Sequence, residues 1–482
     1  MFLSLLHILG YLLIFIGGMT LCVSAVSYFI LNDITQWVAF FLSGAFSLFL
    51  GGGFILGFRS ALVKNLRTRE IFLLTFLAWL LTSIFASLPF VFSNLNLSFT
   101  DAYFETVSAI TTTGATVLID IHTYPKTILL WRALLQWFGG IGIVIMAMTV
   151  LPTLKVGGMQ LFQSEFSDRS EKVLPQVSQL ARAILQTYVS FTLVCIFLLW
   201  WVGLSPFDAI CHGFTTFSTG GLSNYDDSIG HFNLPSAEWI IVVFMLISSI
   251  PLITFVKLLH KKYTAFYNSQ IMTYLIALTV AILVLWGWIV TQGHDDWQNG
   301  FRKAAFTAVS IMTTTGYATA DYALWGSFAA QLIIVLSVIG ACTGSTSGGV
   351  KIFRLEILVR IANAQIRSLR TPHGIFNPTY QGKIIDSKVT TSVITFLVLW
   401  IITLSAVMLI GSAAGLDSVT ALSGAIAITS NVGPGVGDVI GAKGNYATLP
   451  LLVKWTYIVG MMLGRLEFVT ILALASRAFW RS

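Results

Sequence analysis

Hydrophobic residues in this chain run in long unbroken stretches, and polar residues gather in short intervals between them. Stretches such as 3–30, 36–57, 71–92 and 389–412 are each long enough to cross a bilayer core, which takes about 20 apolar residues per helix. They are continuously apolar rather than alternating, so they predict helices and not the strands of a barrel. The first two are joined by a short outside turn at Asn32-Asp33. One order of segments then recurs four times: a long apolar helix, a shorter semi-polar segment, a small-residue turn and a second long helix. The segments fall at 71–92, 99–110 and 125–152; at 183–204, 206–217 and 236–258; at 269–292, 298–312 and 325–350; and at 389–412, 416–429 and 447–476. The expected division is an N-terminal hairpin over 1–68, then repeats over 69–180, 181–265, 266–385 and 386–482. The expected fold class is therefore an all-α integral membrane protein. Four pseudo-symmetric repeats surround one pore, with ten spanning helices and four half-length ones.

The shorter segments cannot span. Twelve residues at 1.5 Å each reach about 18 Å, roughly half way across. Asp101 and Asp208 near the start of two of them suit a first helical turn, where a carboxylate meets the helix dipole. Each segment then turns back through flexible residues. Re-entrant backbone of this kind survives in a membrane only where protein buries it or water lines it.

The turns read Thr111-Thr112-Thr113-Gly114, Ser218-Thr219-Gly220-Gly221, Thr313-Thr314-Thr315-Gly316 and Ser430-Asn431-Val432-Gly433. Gly114, Gly221, Gly316 and Gly433 recur at near-equal intervals, which fits four related units. A dehydrated cation needs several oxygens at once, and backbone carbonyls supply them without a net charge that would trap it. Glycine permits backbone dihedrals that aim its carbonyl inward, and Thr or Ser hydroxyls add ligands below. Oxygen donors without thiolate or imidazole suit alkali cations rather than transition metals.

Composition and charge narrow the class. Of 482 residues 56% are hydrophobic and 10% charged, too little charge to cover a soluble protein of this size. The net charge of +7 is not a nucleic-acid footprint, because it is segregated. Arg59, Lys64, Arg67, Arg69, Lys155, Arg169, Lys172, Arg182, Lys257, Lys261, Lys262 and the run from Lys351 to Lys388 occupy polar intervals of one parity. Residues 205–235 contain no Lys or Arg. This positive-inside pattern places both termini in the cytoplasm. The first 30 residues have no basic start, so an uncleaved first helix is expected rather than a signal peptide. Cys22, Cys195, Cys211 and Cys342 show neither a disulfide framework nor a metal spacing. Asp101, Glu105, Asp208, Asp226 and Asp227 lie near the expected outer mouth, where they either attract cations or serve as solvated loop charge.

Two further features stand out. The run Gly340–Gly349 interrupts the last helix of the third repeat, and six of its ten residues are Gly or Ser. It is not a phosphate loop, because Gly349 is followed by Val350 rather than by Lys and Ser/Thr. It reads as an unwound, mobile segment below the turns, with small-residue helix packing as the alternative. Arg465 is the only basic residue between Lys454 and Arg477. Twelve residues before Arg477 is about 18 Å along a helix, which puts Arg465 deep in the membrane. Glu467 lies on another helix face and is a poor partner for it. No HExxH, paired catalytic carboxylates or nucleophile motif supports an enzyme.

Several stretches together resemble the superfamily of K⁺ transporters, and within it the bacterial TrkH/TrkG type. They are Thr111–Thr116, Gln136-Trp-Phe-Gly-Gly-Ile-Gly142, Val156-Gly-Gly-Met-Gln160, Gly344-Ser-Thr-Ser-Gly-Gly-Val-Lys351, Asn431-Val-Gly-Pro-Gly435 and Gly464-Arg-Leu-Glu467. The two extra N-terminal helices favour this type over the shorter KtrB type. The resemblance implies K⁺ uptake through a gated pore of the bacterial inner membrane, with K⁺ the transported ion and no organic cofactor. It implies K⁺ held mainly by backbone oxygens of Thr112, Thr113, Thr219, Gly220, Thr314, Thr315, Asn431 and Val432, with the four glycines. It implies that the intramembrane loop Gly344, Ser345, Thr346, Ser347, Gly348 and Gly349 blocks the pore, and that Arg465 faces it below the filter. It implies a homodimer regulated by a cytosolic, nucleotide-binding, TrkA-like ring, for which the basic inner loops over 351–388 offer a dock. The rival expectation is a tightly coupled K⁺/H⁺ or K⁺/Na⁺ symporter, with broken helices binding substrate at the midplane.

Overall fold

The computed structural model describes residues 2–59, 67–149, 177–371, 374, 376–476 and 480. The Val156–Gln160 stretch and the basic residues Lys64, Lys155, Arg169, Lys172, Arg477 and Arg481 lie outside them.

Two long helices, Phe2–Phe29 and Ile34–Gly57, form the N-terminal hairpin. They pack closely because glycines face each other. A Cβ on Gly10 would come within 2.8 Å of the Gly51 carbonyl oxygen, and one on Gly17 within 2.9 Å of the Gly44 carbonyl oxygen. Small residues take this place in membranes, where apolar area alone does not drive helices together. At its outer turn Asp33 caps the second helix by accepting from the Gln36 N–H. The same carboxylate accepts from the Thr127 hydroxyl at 3.0 Å, which ties the hairpin to the first repeat.

Each repeat has the expected order. The opening helices are Thr68–Phe92, Val177–Trp201, Ser269–Thr291 and Ser387–Ala413. The half-helices are Phe99–Ile110, Pro206–Phe217, Trp297–Met312 and Ser418–Thr429. Their caps explain where they start. Ser98 and Ser205 accept from the N–H of Asp101 and Asp208, and Asp296 and Asp417 cap the other two. Hydrogen bonds from Thr420 hold the exposed Asp417 carboxyl below the usual carboxylate range.

The return helices depart from expectation. The first, Lys126–Thr149, is continuous, but the other three are broken part-way. In the second repeat Pro235–Ser249 and Leu252–Leu259 meet at 88°. Pro251 sits at the joint, where it lacks an N–H and clashes with the preceding turn. In the third, Gly326–Ile339 and Ile352–Arg370 are separated by the unwound run at 340–351. In the fourth, Leu451–Arg465 and Phe468–Ala475 are interrupted at Leu466-Glu467, where Glu467 has φ +65°. Eight described helices are individually long and apolar enough to span. The bent pair, taken as one span, makes a ninth, against the ten expected. A two-residue ribbon, Thr379–Tyr380 with Lys383–Ile384, is the only strand pairing among the described residues.

The outer surface is the lipid-facing one, with Phe49, Leu56, Ile276 and Leu409 exposed. Trp200, Trp201 and Trp297 sit at the ends of helices, as amphipathic rings do at a membrane interface. Along the hairpin seam, Gly51→Val should cost about 1–3 kcal/mol of overpacking. Nothing lies within 4 Å of a Cβ on Gly52. Thermal melting of the detergent-purified protein should therefore fall for Gly51→Val and stay near wild type for Gly52→Val.

Candidate functional site

All four half-helices end in the same way. In each, the third turn residue donates its N–H to the carbonyl five residues back: Thr113 to Ser108 at 2.9 Å, Gly220 to Thr215 at 3.0 Å, Thr315 to Ser310 at 2.9 Å and Val432 to Ala427 at 2.8 Å. The second residue is left-handed in each, with φ +52° at Thr112, +53° at Thr219, +60° at Thr314 and +55° at Asn431. This is a Schellman-type helix end, which normally carries glycine. Threonine is β-branched, and a left-handed φ costs an L-residue about 1–2 kcal/mol. Three such threonines in register are strain held in place by the surroundings.

The shared glycines follow, with φ +84°, +73°, +81° and +98° at Gly114, Gly221, Gly316 and Gly433. A Cβ on Gly114 would fall on the Gly220 carbonyl oxygen. One on Gly221 would fall on that of Thr315, one on Gly316 on that of Val432, and one on Gly433 on that of Thr113. The contacts run from each repeat to the next and close on the first. Four turns distant in sequence thus form one ring of carbonyl oxygens, with glycine required at every joint. With the N–H groups turned back into the half-helices, the ring offers oxygen and no fixed charge. The C-terminal, partially negative ends of four helix dipoles converge on it. Such a ring can replace the hydration shell of a monovalent cation.

The surroundings explain why the turns differ. Thr113 and Thr315 pair their hydroxyls with Thr111 and Thr313 at 2.7 and 2.8 Å. At Gly220 that room is taken by Gln136, whose amide would overlap any Cβ there. Gln136 donates to the Gly220 carbonyl at 2.7 Å and accepts from the Leu222 N–H at 3.1 Å. Asn431 donates to the Thr113 hydroxyl at 2.9 Å and to the Met461 carbonyl at 3.0 Å, which ties the fourth turn to the first. Tyr446 donates to the Gly433 carbonyl at 2.6 Å, and Tyr322 to that of Gly435 at 2.8 Å.

Behind the ring lies an ion pair buried at both ends. Arg132 donates to Glu105 at 2.7 Å, with side chains 1% and 0% exposed. Glu105 also accepts from Thr116 and the Val117 N–H, while Arg132 reaches the Ser223 carbonyl. The other acids expected at the outer mouth are partnered too. Asp101 pairs with Lys454 at 2.6 Å, Asp208 accepts from Asn224 at 2.8 Å, and Asp227 pairs with Lys443 at 2.8 Å. The Asp227 partner raises the Lys443 ammonium above its usual range. Asp226, which accepts from the Ile121 N–H, is the acid that lines an outward cavity of about 60 Å³ based on the four glycines.

On the side of the turns opposite that cavity the run 340–351 is wedged against them. Gly340, Gly344, Gly349 and Lys351 have positive φ. The Gly348 N–H donates to the Thr314 hydroxyl at 2.7 Å and the Gly349 N–H to the Ser430 carbonyl at 2.8 Å. From the other side, the Cys342 and Thr346 N–H groups reach the Ser249 and Ser248 carbonyls, which the break at Pro251 leaves without helical partners. Arg465 is buried and donates to the Thr346 carbonyl at 2.9 Å. Its expected lack of pairing with Glu467 holds. Glu467 binds Arg354 at 2.6 Å, and that guanidinium lies 3.7 Å over the Phe396 ring. Arg465 ends a helix rather than lying within a straight one, so its depth does not follow from its distance to Arg477.

The sequence reading quoted Gln136 and Glu105 without these roles, and it missed Tyr322, Tyr446 and the pairing of Glu105 with Arg132. The signal for the pair was available. Arg132 is a lone cation inside an apolar helix, the criterion that singled out Arg465.

The profile of the TrkH family, described as "Cation transport protein", matches residues 36–482. The Trk system potassium uptake protein TrkI of Halomonas elongata is 41% identical over 86% of this chain and 85% of its own length. The Trk system potassium uptake protein TrkH of Vibrio parahaemolyticus is 36% identical over 87% of each chain. The crystal structure of the potassium transporter TrkH from Vibrio parahaemolyticus superposes with a TM-score of 0.91 at 32% identity, over 100% of both chains. This chain belongs to the TrkH family of cation transport proteins.

Removing one member of the buried pair should be costly. Arg132→Met leaves Glu105 buried and uncompensated, at about 3–5 kcal/mol. Its melting temperature in detergent should fall well below wild type. The double variant Arg132→Met/Glu105→Gln should recover part of the loss.

Proposed function

We propose that this chain takes up K⁺ across a bacterial inner membrane, as the transmembrane subunit of a Trk-type system. Its centre is a gated, channel-like pore. Thr112, Thr113, Thr219, Gly220, Thr314, Thr315, Asn431 and Val432 supply oxygens, mainly from the backbone. Gly114, Gly221, Gly316 and Gly433 give the turns room to converge. The observation that carries this reading is the closed ring of glycine-to-carbonyl contacts, a through-axis built of neutral oxygens. K⁺ is favoured as the cargo because Trk potassium uptake proteins are among the relatives. The five-part division at residues 68, 180, 265 and 385 belongs to the same reading.

The segment Gly344–Gly349 is the gate in this proposal, with Ser345, Thr346 and Ser347 as its polar middle. Arg465 holds it through the Thr346 carbonyl and places a positive charge below the ring. The segregated basic residues support cytoplasmic termini and an inner face that docks a cytosolic nucleotide-binding ring. The functional unit is a homodimer with one pore in each subunit.

Three measurements bear on this. Purified protein in planar bilayers should give unitary K⁺-selective currents, and purely coupled, turnover-limited flux would replace the pore with a symporter. Gly316→Ser places a side chain at φ +81° on the Val432 carbonyl. It should lower the preference for K⁺ over Na⁺ about ten-fold, the equivalent of 1.4 kcal/mol, in cells lacking other K⁺ uptake. Unchanged discrimination at normal expression would remove that turn from the filter. Deleting Gly344–Gly349 should raise basal flux, and an unaltered flux would count against the gate.

A further inference from the structure

The loop makes its contacts with the turns at their inner ends, where an ion leaving toward the inner side would find its last ligands. Four equivalent side chains surround that level: Thr112, Thr219, Thr314 and Asn431. Their engagements differ. The Thr314 hydroxyl accepts from the Gly348 N–H at 2.7 Å. The Thr219 hydroxyl lies 3.2 Å from the Thr346 hydroxyl. The Asn431 amide nitrogen donates to Thr113 and Met461, and its Oδ1 has no partner among the described residues. In that fourth turn the loop takes the carbonyl of Ser430 instead, through the Gly349 N–H at 2.8 Å. Thr112, in the one repeat that the loop's hydrogen bonds do not reach, has a buried hydroxyl with no hydrogen-bond partner among the described residues.

We propose that the loop is held shut by the innermost cation ligands themselves, so that loop closure and cation occupancy of the inner layer exclude one another. The inference rests on the filter-and-gate reading above and adds how the two are coupled. An oxygen lone pair aimed at an N–H faces a partial positive charge and is not available to a cation. The loop's N–H groups thus stand where the cation's own charge would act. With the loop in place, the inner layer keeps the lone pairs of the Thr112 and Thr219 hydroxyls and of the Asn431 Oδ1, and loses the Thr314 hydroxyl and the Ser430 carbonyl to the loop's N–H groups. When a cation draws those oxygens to itself, the loop loses the hydrogen bonds that seat it. What remains is the hold of Ser248, Ser249, Leu252, Gln270 and Arg465 from the other side. No residue outside the pore is needed to make the gate sense K⁺.

Cys342 is a native reporter, because it is fully buried where the loop begins. The full-length chain in liposomes, without a regulatory partner, would be treated with a membrane-permeant methanethiosulfonate. Modification of the Cys342 peptide would be followed by mass spectrometry in K⁺ and, at equal ionic strength, in N-methylglucamine. The rate should rise several-fold with K⁺. Thr314→Val should raise the K⁺-free rate about five-fold, the weight of one net hydrogen bond, and flatten the K⁺ dependence. Thr314→Ser should behave as wild type. A wild-type rate independent of K⁺ would overturn the proposal, and that measurement needs no variant. So would a Thr314→Val rate equal to wild type. Either result, with Gly316→Ser still impairing discrimination, would leave the filter reading standing. Unchanged discrimination in Gly316→Ser would instead mark the failure of the filter itself.

Discussion

The centre of this protein depends on one hydrogen bond made four times, from the third turn residue back to a carbonyl five residues earlier. A backbone that enters a membrane and turns around must satisfy its N–H groups without water. Sending them back into the half-helix solves that problem without using the turns' own carbonyls, of which Gln136 and Tyr446 take up those of Gly220 and Gly433. It also forces the preceding residue into a left-handed conformation, which explains the positive φ of Thr112, Thr219, Thr314 and Asn431. The packed ring over-determines this strain, since each glycine presses on the next turn's carbonyl. The half-helix caps, the buried Glu105–Arg132 pair and Gln136 all serve to hold these four turns in register.

The ring is one design filled in four ways. Where the third residue is Thr, its hydroxyl pairs within the turn. Where it is Gly220, Gln136 from a neighbouring helix occupies the space and fastens the turn from outside. Where the second residue is Asn431, its amide bridges to the first repeat and closes the circle. The inner side is less symmetric still. Three return helices break, and the broken second helix supplies carbonyls to the unwound segment of the third. Breaks at different places in equivalent helices turn a four-fold frame into one with a distinct inner face.

Much of this was legible in the sequence, because its cause is local. Long apolar runs, half-length segments and small-residue turns fix the helices through length and hydropathy alone, and the half-helix boundaries agree with expectation to within two residues. The Gly-rich run at 340–349 and the buried Arg465 were visible for the same reason. What was not legible depends on packing between distant segments. The joint at Ile250-Pro251 needed weight given to a single proline in an apolar run. The break at Leu466-Glu467 carries neither Gly nor Pro to announce it. It goes with the distant Glu467–Arg354 pairing, which spacing cannot foresee. The outer acids read as a group, yet the structure separates them. All five have partners within the protein, and Asp226 among them also lines the cavity.

The ring also imposes an order on biogenesis. Its last joint, Gly433 against Thr113, and the Lys454–Asp101 pair both unite the beginning of the repeat array with its end. The ribosome makes the first turn some three hundred residues before its partner in the fourth. Throughout that interval the first turn lacks the Asn431 amide and the wall of the fourth repeat. The helix Leu451–Arg465 carries Lys454 and Arg465, which pair with Asp101 and the Thr346 carbonyl of segments made before it. Before that last segment is in place the four turns can form only an open arc, so the ring of glycine-to-carbonyl joints closes in one step rather than repeat by repeat.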